Sequence, residues 1–343
     1  MTPKLTVVIS AYNRREFVEE AILSVLGQTL PRSQYQIVLI KNFGSESVDS
    51  LADKNQIVNV QSRDVGLGDK YIEALEVSDG DVLCFLDDDD LFDRRKLEAV
   101  SRAFSEYPEL GYFHNRYVPF RNDHVPLVPA KVAKHSSKAE LLSSTSLEPR
   151  DMYNLIQLNV NCSSISMKRE IVASYSDLLR PCKAAVDVLL LYAAILSRKP
   201  MMVCPDVLTY YRIHPTNMSL TSPSLSFATF VKGRFEHSKN SYDEYSRVLR
   251  HCVGAPIEKM VRFQLAWNNM SMNIFSDQIR DRLKIVTSLV DLLKGWKGNY
   301  PMAKVVQISL AGIASIALPG SVRHYSYRQR NRVILDADVY ELA

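Results

Sequence analysis

Phe85-Leu86-Asp87-Asp88-Asp89-Asp90-Leu91-Phe92 is the stretch on which the fold turns: four consecutive carboxylates between two pairs of large apolar residues. Upstream, Asp81-Val82-Leu83-Cys84-Phe85-Leu86 is apolar almost throughout and follows the turn-forming Asp79-Gly80, the pattern of a short buried strand. Downstream, Leu97, Val100 and Phe104 recur at helical spacing between Arg94 and Tyr107. The tetrad is therefore expected at the carboxyl end of a sheet strand, where open α/β sheets bind ligands. Four adjacent anions repel one another, and an apolar neighbourhood strengthens the repulsion. A divalent cation relieves it, and hard carboxylate oxygens suit Mg²⁺ or Mn²⁺ better than zinc. A solvated acidic turn is the ordinary alternative for a charge run. The flanking Phe-Leu and Leu-Phe pairs argue against free solvation.

Toward the N-terminus, Leu5-Thr6-Val7-Val8-Ile9 is a compact β-branched run and the expected first strand. Ser10-Ala11-Tyr12-Asn13-Arg14 forms the turn after it. Between Arg15 and Leu26, Phe17, Ala21 and Val25 share a helix face with Val18 and Ile22. Tyr35 to Ile40 reads as a second strand and Ile57 to Val60 as a third, and Gly66-Leu67-Gly68-Asp69-Lys70 opens another helix. Alternation of β and α elements at this spacing predicts a mostly parallel sheet covered by helices. Gly66-Leu67-Gly68 is too short and too late for a dinucleotide fingerprint, which excludes NAD binding.

A chain of 343 residues with 46% hydrophobic and 23% charged side chains is expected to form one large domain plus an appendage. A formal charge of +4, with no zinc-finger spacing or aromatic-rich basic motif, gives no reason to expect a nucleic-acid partner. The five cysteines, Cys84, Cys162, Cys182, Cys204 and Cys252, are widely spaced, so neither a disulfide framework nor a structural zinc site is indicated. Reduced thiols, and an N-terminal segment that runs directly from Met1-Thr2-Pro3-Lys4 into a strand, set the expectation of a cytoplasmic protein without a signal peptide.

Taken in order, Val7-Val8-Ile9-Ser10-Ala11-Tyr12-Asn13-Arg14, Gly66 with Lys70, and Phe85-Leu86-Asp87-Asp88-Asp89-Asp90 resemble the nucleotide-sugar domain of inverting family-2 glycosyltransferases. The resemblance covers roughly residues 1–220 and implies the GT-A fold, a Rossmann-like sheet with flanking helices, with residues 221–343 as a helical appendage. It implies a nucleotide-diphosphate sugar donor, a glycan or lipid-linked acceptor, and a metal, Mn²⁺ or Mg²⁺, held by Asp87 and Asp89 with Asp88 beside the donor. It also implies that Ala11, Tyr12 and Arg14 contact the base and phosphates. An aromatic ring can stack on a base and an arginine can pair with phosphate. Packing at a strand end is the alternative for Tyr12, and a solvated helix lysine the alternative for Lys70, which resembles a basic residue near the nucleotide.

The chain departs from the family after its second strand. Where the family has an acidic residue that reads the base, this chain has Ile40-Lys41-Asn42-Phe43-Gly44-Ser45. Asn42 carries both a donor and an acceptor and can still meet a base edge. Further on, Gly111 to Phe120 reads as extended, Arg121 to Arg150 as a polar mobile insert, and Asn161 to Met167 as a return to the sheet.

Asp187 is the only charge between Lys183 and Arg198 in an apolar helical segment, where a carboxylate is costly unless partnered or functional. The resemblance makes it the general base for the acceptor hydroxyl, and a helix cap is the alternative. Tyr210-Tyr211-Arg212-Ile213-His214 resembles a family loop that closes on the diphosphate, with Arg212 against phosphate and His214 bonding it or completing the metal shell.

Past residue 220 the β/α alternation stops, and Phe227 to Val253 and Pro256 to Leu293 read as helices. Val305 to Leu318 is uncharged and flanked by basic residues; with its neighbours, 303–320, it reads as either a membrane-interface helix or a buried one. The leading function is a metal-dependent inverting hexosyltransferase. A nucleotidyltransferase lacks its Gly-rich loop here, and a membrane-associated nucleotide-sugar or cation binder has no need of Asp187.

Overall fold

The computed structural model describes residues 2–63, 66–120, 139–144, 147, 161–182, 185–214, 226–255, 257–296 and 302–337, which fall into two compact units. The first contains β1 (Leu5–Ala11), α1 (Val18–Leu26), β2 (Tyr35–Lys41), α2 (Glu46–Lys54), β3 (Val58–Gln61), α3 (Leu67–Val77) and β4 (Val82–Asp87). It continues with β5 (Leu91–Phe92), α4 (Lys96–Glu106), β6 (Tyr112–Phe120), β7 (Glu140–Leu142), β8 (Ile165–Lys168), α5 (Arg169–Ser174), α6 (Ser176–Leu179), α7 (Val186–Leu196) and β9 (Met201–Arg212). The expected insert at 121–150 lies outside the described residues except for β7 and a few neighbours.

β1 is flanked by β2 and β4, both parallel, with Val7 opposite Ile37 on one side and Cys84 on the other. Hydrogen-bonded on both edges and covered on both faces, it has no exposed apolar residue, as a continuous β-branched run requires. The sheet order is β3-β2-β1-β4-β8-β6-β9-β5, with β7 on β9. The strands from β3 to β4 are parallel, as the β/α alternation predicts. Beyond β4 the sheet is mixed. β8 enters antiparallel between β4 and β6, while β6 and β9 pair in parallel. β8 follows directly on the tight turn at Cys162–Ser164 and runs antiparallel to β4, with Leu83 opposite Met167.

The second unit holds α8 (Phe227–Cys252), α9 (Glu258–Phe275), α10 (Ile279–Trp296), α11 (Met302–Ala317) and α12 (Pro319–Ala337) around Phe230, Phe263, Met270, Ile285, Leu292 and Val305. The periodic segment from Pro256 to Leu293 is two helices. Ser276 ends α9, leaving helical geometry with ψ of 137°, and its Oγ accepts from the Gln278 N–H (3.2 Å) and donates to Asp281 Oδ2 (2.6 Å) in the first turn of α10.

Candidate active site

The tetrad stands where the sequence predicts, at the carboxyl end of β4, with Asp87 closing the strand opposite Ser10 of β1. Its four carboxylates divide into two groups. Asp88 and Asp89 face the turn after β1. Arg14 pairs with Asp88 at very short range and with Asp89 Oδ2 at 2.8 Å, while the Tyr12 N–H donates to Asp88 Oδ2 at 3.4 Å. Asp90 faces the sheet. Its Oδ2 accepts from Ser163 Oγ (2.6 Å) and its Oδ1 from the Arg212 N–H (2.9 Å), and the Asp87 N–H donates to Ser163 Oγ (3.0 Å). Ser163 thus ties both ends of the tetrad to the turn before β8, a role that no local sequence pattern signals.

Burial, followed by the charges of Asp90, Asp89, Asp88 and Asp187, pushes the Asp87 carboxyl well above the usual carboxylate range. Burial and Asp89 do the same to Asp90. Asp88 rises only to about 6, because Arg14 opposes its burial. For the Arg14 guanidinium, burial lowers the pKa, but Asp88 and Asp89 together outweigh it and raise the value. The mutual repulsion anticipated from four adjacent anions is therefore physically present, and one arginine offsets part of it.

His214 reaches the same point from the end of β9. Its Nε2 lies 2.9 Å from Asp89 Oδ2 and 3.1 Å from Arg14 Nη1. A guanidinium only donates and a carboxylate only accepts, so Nε2 can satisfy one of them at a time. With the proton on Nδ1, the single Nε2 lone pair accepts from Arg14; with the proton on Nε2, the ring donates to Asp89 instead.

Arg212 is placed differently from the phosphate contact that the resemblance implies. Its guanidinium is buried between the Phe17 and Phe120 rings, 4.4 and 4.6 Å from their centroids. It donates from Nε to the Asp89 carbonyl (2.8 Å) and from Nη2 to Glu20 (2.7 Å). In this arrangement it anchors the loop that carries the tetrad.

Ala11 is buried at the end of β1, and Tyr12 is partly exposed, with the buried Lys70 ammonium 4.2 Å from its ring centroid. Lys70 is thus not the solvated helix lysine that composition alone allows. Its helix, α3, is fixed by a close approach: a Cβ on Gly68 would stand 1.8 Å from the Leu179 carbonyl oxygen, and the Gly68 N–H donates to the Cys182 carbonyl (3.0 Å). Asn42 pairs reciprocally with Asn13, two 2.8 Å bonds that hold Asn13 at a φ of 56°. Asp187 is the second residue of α7, and Ala185 occupies the cap position. Its Oδ1 accepts from the Val188 N–H at 2.9 Å, and its charge is among those felt by Asp87, Tyr112 and Cys162. Asp187 is therefore within electrostatic reach of the tetrad.

Residues 6–162 match the model of Glycosyl transferase family 2. An uncharacterized glycosyltransferase of Nostoc sp. is 24% identical over 229 residues, 64% of this chain and 68% of that protein. Poly(ribitol-phosphate) beta-N-acetylglucosaminyltransferase TarS of Staphylococcus aureus is 20% identical over 44% of this chain, which spans only 29% of that protein. Among solved structures, S. aureus TarS in complex with UDP superposes with a TM-score of 0.62 at 15% identity, covering 95% of this chain and 91% of that one. Mannosyltransferase PcManGT of Pyrobaculum calidifontis, in complex with GDP-Man and Mn²⁺, gives 0.52 at 14% identity, covering 97% and 87%. At these identities the structural likeness speaks to the fold, and it matches the sheet order and helical C-terminal unit described above. With the acidic tetrad at the end of β4 inside the matched segment, residues 6–162 carry the Glycosyl transferase family 2 match, and the fold is that of GT-A glycosyltransferases.

Proposed function

We propose that the protein transfers a hexosyl group from a nucleotide-diphosphate sugar to an acceptor hydroxyl on a glycan or lipid-linked glycan, with metal dependence and inversion at the anomeric carbon. The observation that carries this reading is the convergence of Asp89, Arg14 and His214 at the carboxyl end of β4, with the charge of Asp187 acting on Asp87 of the same tetrad. Two relatives' names support the acceptor class, since poly(ribitol-phosphate) glycosyltransferases act on polyhydroxylated polymers. Structures of neighbours with UDP, UDP-GlcNAc and GDP-Man support the donor class.

Oxygen donors of Asp87 and Asp89 with the His214 imidazole are a suitable set for Mn²⁺ or Mg²⁺. Among the described residues no three His, Cys, Asp or Glu side chains are gathered closely enough to hold an ion by themselves, so a cation here would need ligands from outside the chain. When bound, the cation would neutralise charge on the departing diphosphate. Arg14 sits where it can turn from Asp88 and Asp89 to a phosphate. Tyr12, with the Lys70 ammonium against its ring, would stack on the base, and Asn42 beside Asn13 would meet the base edge. Asp187 would take the proton of the acceptor hydroxyl as its oxygen forms the new bond to the anomeric carbon. The bond to diphosphate breaks on the opposite face, and a single displacement of this kind inverts the configuration.

The test is a panel of UDP-, GDP- and TDP-sugars incubated with the full chain and oligosaccharide or polyol-phosphate acceptors, with Mn²⁺ or with EDTA. Release of nucleoside diphosphate that needs both metal and acceptor supports the reading. Turnover undiminished in EDTA would remove the metal from it.

A further inference from the structure

Helix α11 is apolar on two sides. Val305, Ile308, Gly312 and Ser315 are buried, and a Cβ on Gly312 would stand 2.7 Å from Met270 Sδ and 3.2 Å from Leu289 Cδ2. The other side faces outward, with Met302, Val306, Leu310 and Ile313 exposed by 57%, 46%, 61% and 56%. At about 100° per residue these four fall within an arc of roughly 80° that also contains the exposed Ala317, and the exposed Ala303 and Ala314 widen it. The polar side chains nearest that arc are Ser309, which is half-buried, and Gln307, which is exposed. The adjoining α10 repeats the pattern with Val286, Val290 and Leu293, exposed by 50%, 45% and 54% and one turn apart. A helix meant for water carries polar residues on its outer face, and a contiguous exposed apolar surface marks an interaction site.

The charge around this face identifies what it meets. From Leu292 to Leu335 there are seven cations, Lys294, Lys297, Lys304, Arg323, Arg328, Arg330 and Arg332, and no Asp or Glu. The whole chain carries only +4, so everything outside this segment is net acidic. Arg323 is used internally, donating from Nε to the Ile274 carbonyl (2.7 Å) and pairing with Asp277 (3.2 Å). Lys294 and Arg328 are exposed. Pairing with a second copy of the chain would set two such cationic segments against each other, which like-charge repulsion disfavours. Among the described residues no helix is long and apolar enough to cross a membrane, so insertion as a span is not the use of α11. An apolar face bordered by lysine and arginine is the composition of a helix lying in a lipid interface.

We propose that the outer face of α10 and α11 docks on an anionic lipid surface. Met302, Val306, Leu310 and Ile313 enter the boundary between headgroups and acyl chains, and the exposed Lys294 and Arg328 meet lipid phosphates. The inference is independent of the chemistry assigned to the first unit.

The experiment is co-sedimentation of the full chain with phosphatidylcholine vesicles, and with vesicles in which about a third of the lipid is phosphatidylglycerol. Two variants are compared, Leu310→Asp with Ile313→Asp, and Lys294→Glu with Arg328→Glu, each checked for an unchanged melting temperature. The expected result is binding to the anionic vesicles that weakens with salt, is slight on phosphatidylcholine, and falls at least about tenfold in each variant. Absence of binding by the natural chain, or equal binding by the folded variants, would overturn the proposal. So would a natural chain that is oligomeric in light scattering and becomes monomeric with Leu310→Asp and Ile313→Asp, because the face would then belong to a second copy. If the apolar pair of substitutions prevents folding, the charge-reversal variant decides by the same readout.

Discussion

Arg212 Nε donates to the main-chain carbonyl of Asp89 at 2.8 Å, joining two residues 123 positions apart in sequence. The side chain that makes this bond is held between Phe17 and Phe120, and its other end pairs with Glu20. The position of Asp89, and with it the Asp89–His214 contact, therefore depends on a planar cation stacked between two rings. Lysine cannot reproduce that arrangement: it has no flat face to stack and no Nε–H beside a second donor.

Arg212→Lys should accordingly lower stability by about 1–3 kcal/mol, from the lost stacking and the unsatisfied carbonyl. It should also weaken donor binding, because the Asp89 loop loses its anchor. Thermal denaturation and nucleotide-sugar titration of this one variant check both effects. An unchanged melting temperature would show that the aromatic sandwich contributes nothing to the loop.

Asp89→Asn tests the metal. The substitution keeps the size of the side chain and removes the charge that Arg14 and His214 both face. Transfer and calorimetric Mn²⁺ binding should both be lost, while circular dichroism stays native. An undiminished rate at saturating Mn²⁺ would sink the assignment of Asp89 as a ligand.

Much of this site is legible in the sequence, and the parts that are not share a cause. β1, β4 and the placement of the tetrad follow from apolar runs a few residues long, which is local information. Asp187 at the start of a helix is likewise visible as a lone carboxylate in an apolar segment. Ser163 as a partner of Asp90, and Phe17 with Phe120 as the walls around Arg212, are pairings across tens to hundreds of residues. No periodicity encodes them. β8 is four residues long and preceded by the long polar stretch from Arg121, so nothing local announces that it enters antiparallel. Gly68 reads only as a failed dinucleotide fingerprint until the carbonyl of Leu179 is seen against it.

Buried groups of opposite sign act on the acid stability of the protein, with His114 on one side and the raised carboxyls of Asp87, Asp88 and Asp90 on the other. Burial, with some help from Lys96, lowers His114 to about 3. Its folded value lies below its unfolded one, so its stability is present above about pH 6.5 and is lost as the pH falls, by roughly 2 kcal/mol between pH 6.5 and 5. Asp88, raised to about 6, has the opposite sign. It favours the folded state at low pH, and that advantage disappears as the pH rises through about 6, offsetting about 1 kcal/mol over the same interval. His114→Gln removes the first effect alone. Its stability, measured by denaturant unfolding, should rise relative to that of the natural chain as the pH falls from 6.5 to 5. Parallel curves for the two proteins would mean that His114 is not held neutral by burial.

Asp187→Asn separates the chemical from the structural use of the carboxylate. Asp187 is not the cap of α7, since Ala185 holds that position; it lies in the first turn, where an anion gains a modest interaction with the helix dipole. Losing only that interaction costs about 0.3–1 kcal/mol. Losing a general base costs about two to four orders of magnitude in rate. The two effects differ so much in size that a single variant distinguishes them. If Asp187 takes the acceptor proton, transfer should collapse by that factor. Donor affinity should barely change, because the base acts on the acceptor. The melting temperature should move only slightly, because asparagine still accepts from the Val188 N–H. Removing the negative charge should also ease the repulsion on Asp87, one of whose neighbouring charges is Asp187, so any shift in metal affinity should be small and toward weaker binding. A near-normal transfer rate with a lowered melting temperature would refute the assignment, and the proton acceptor would then have to be sought among the other carboxylates of the site.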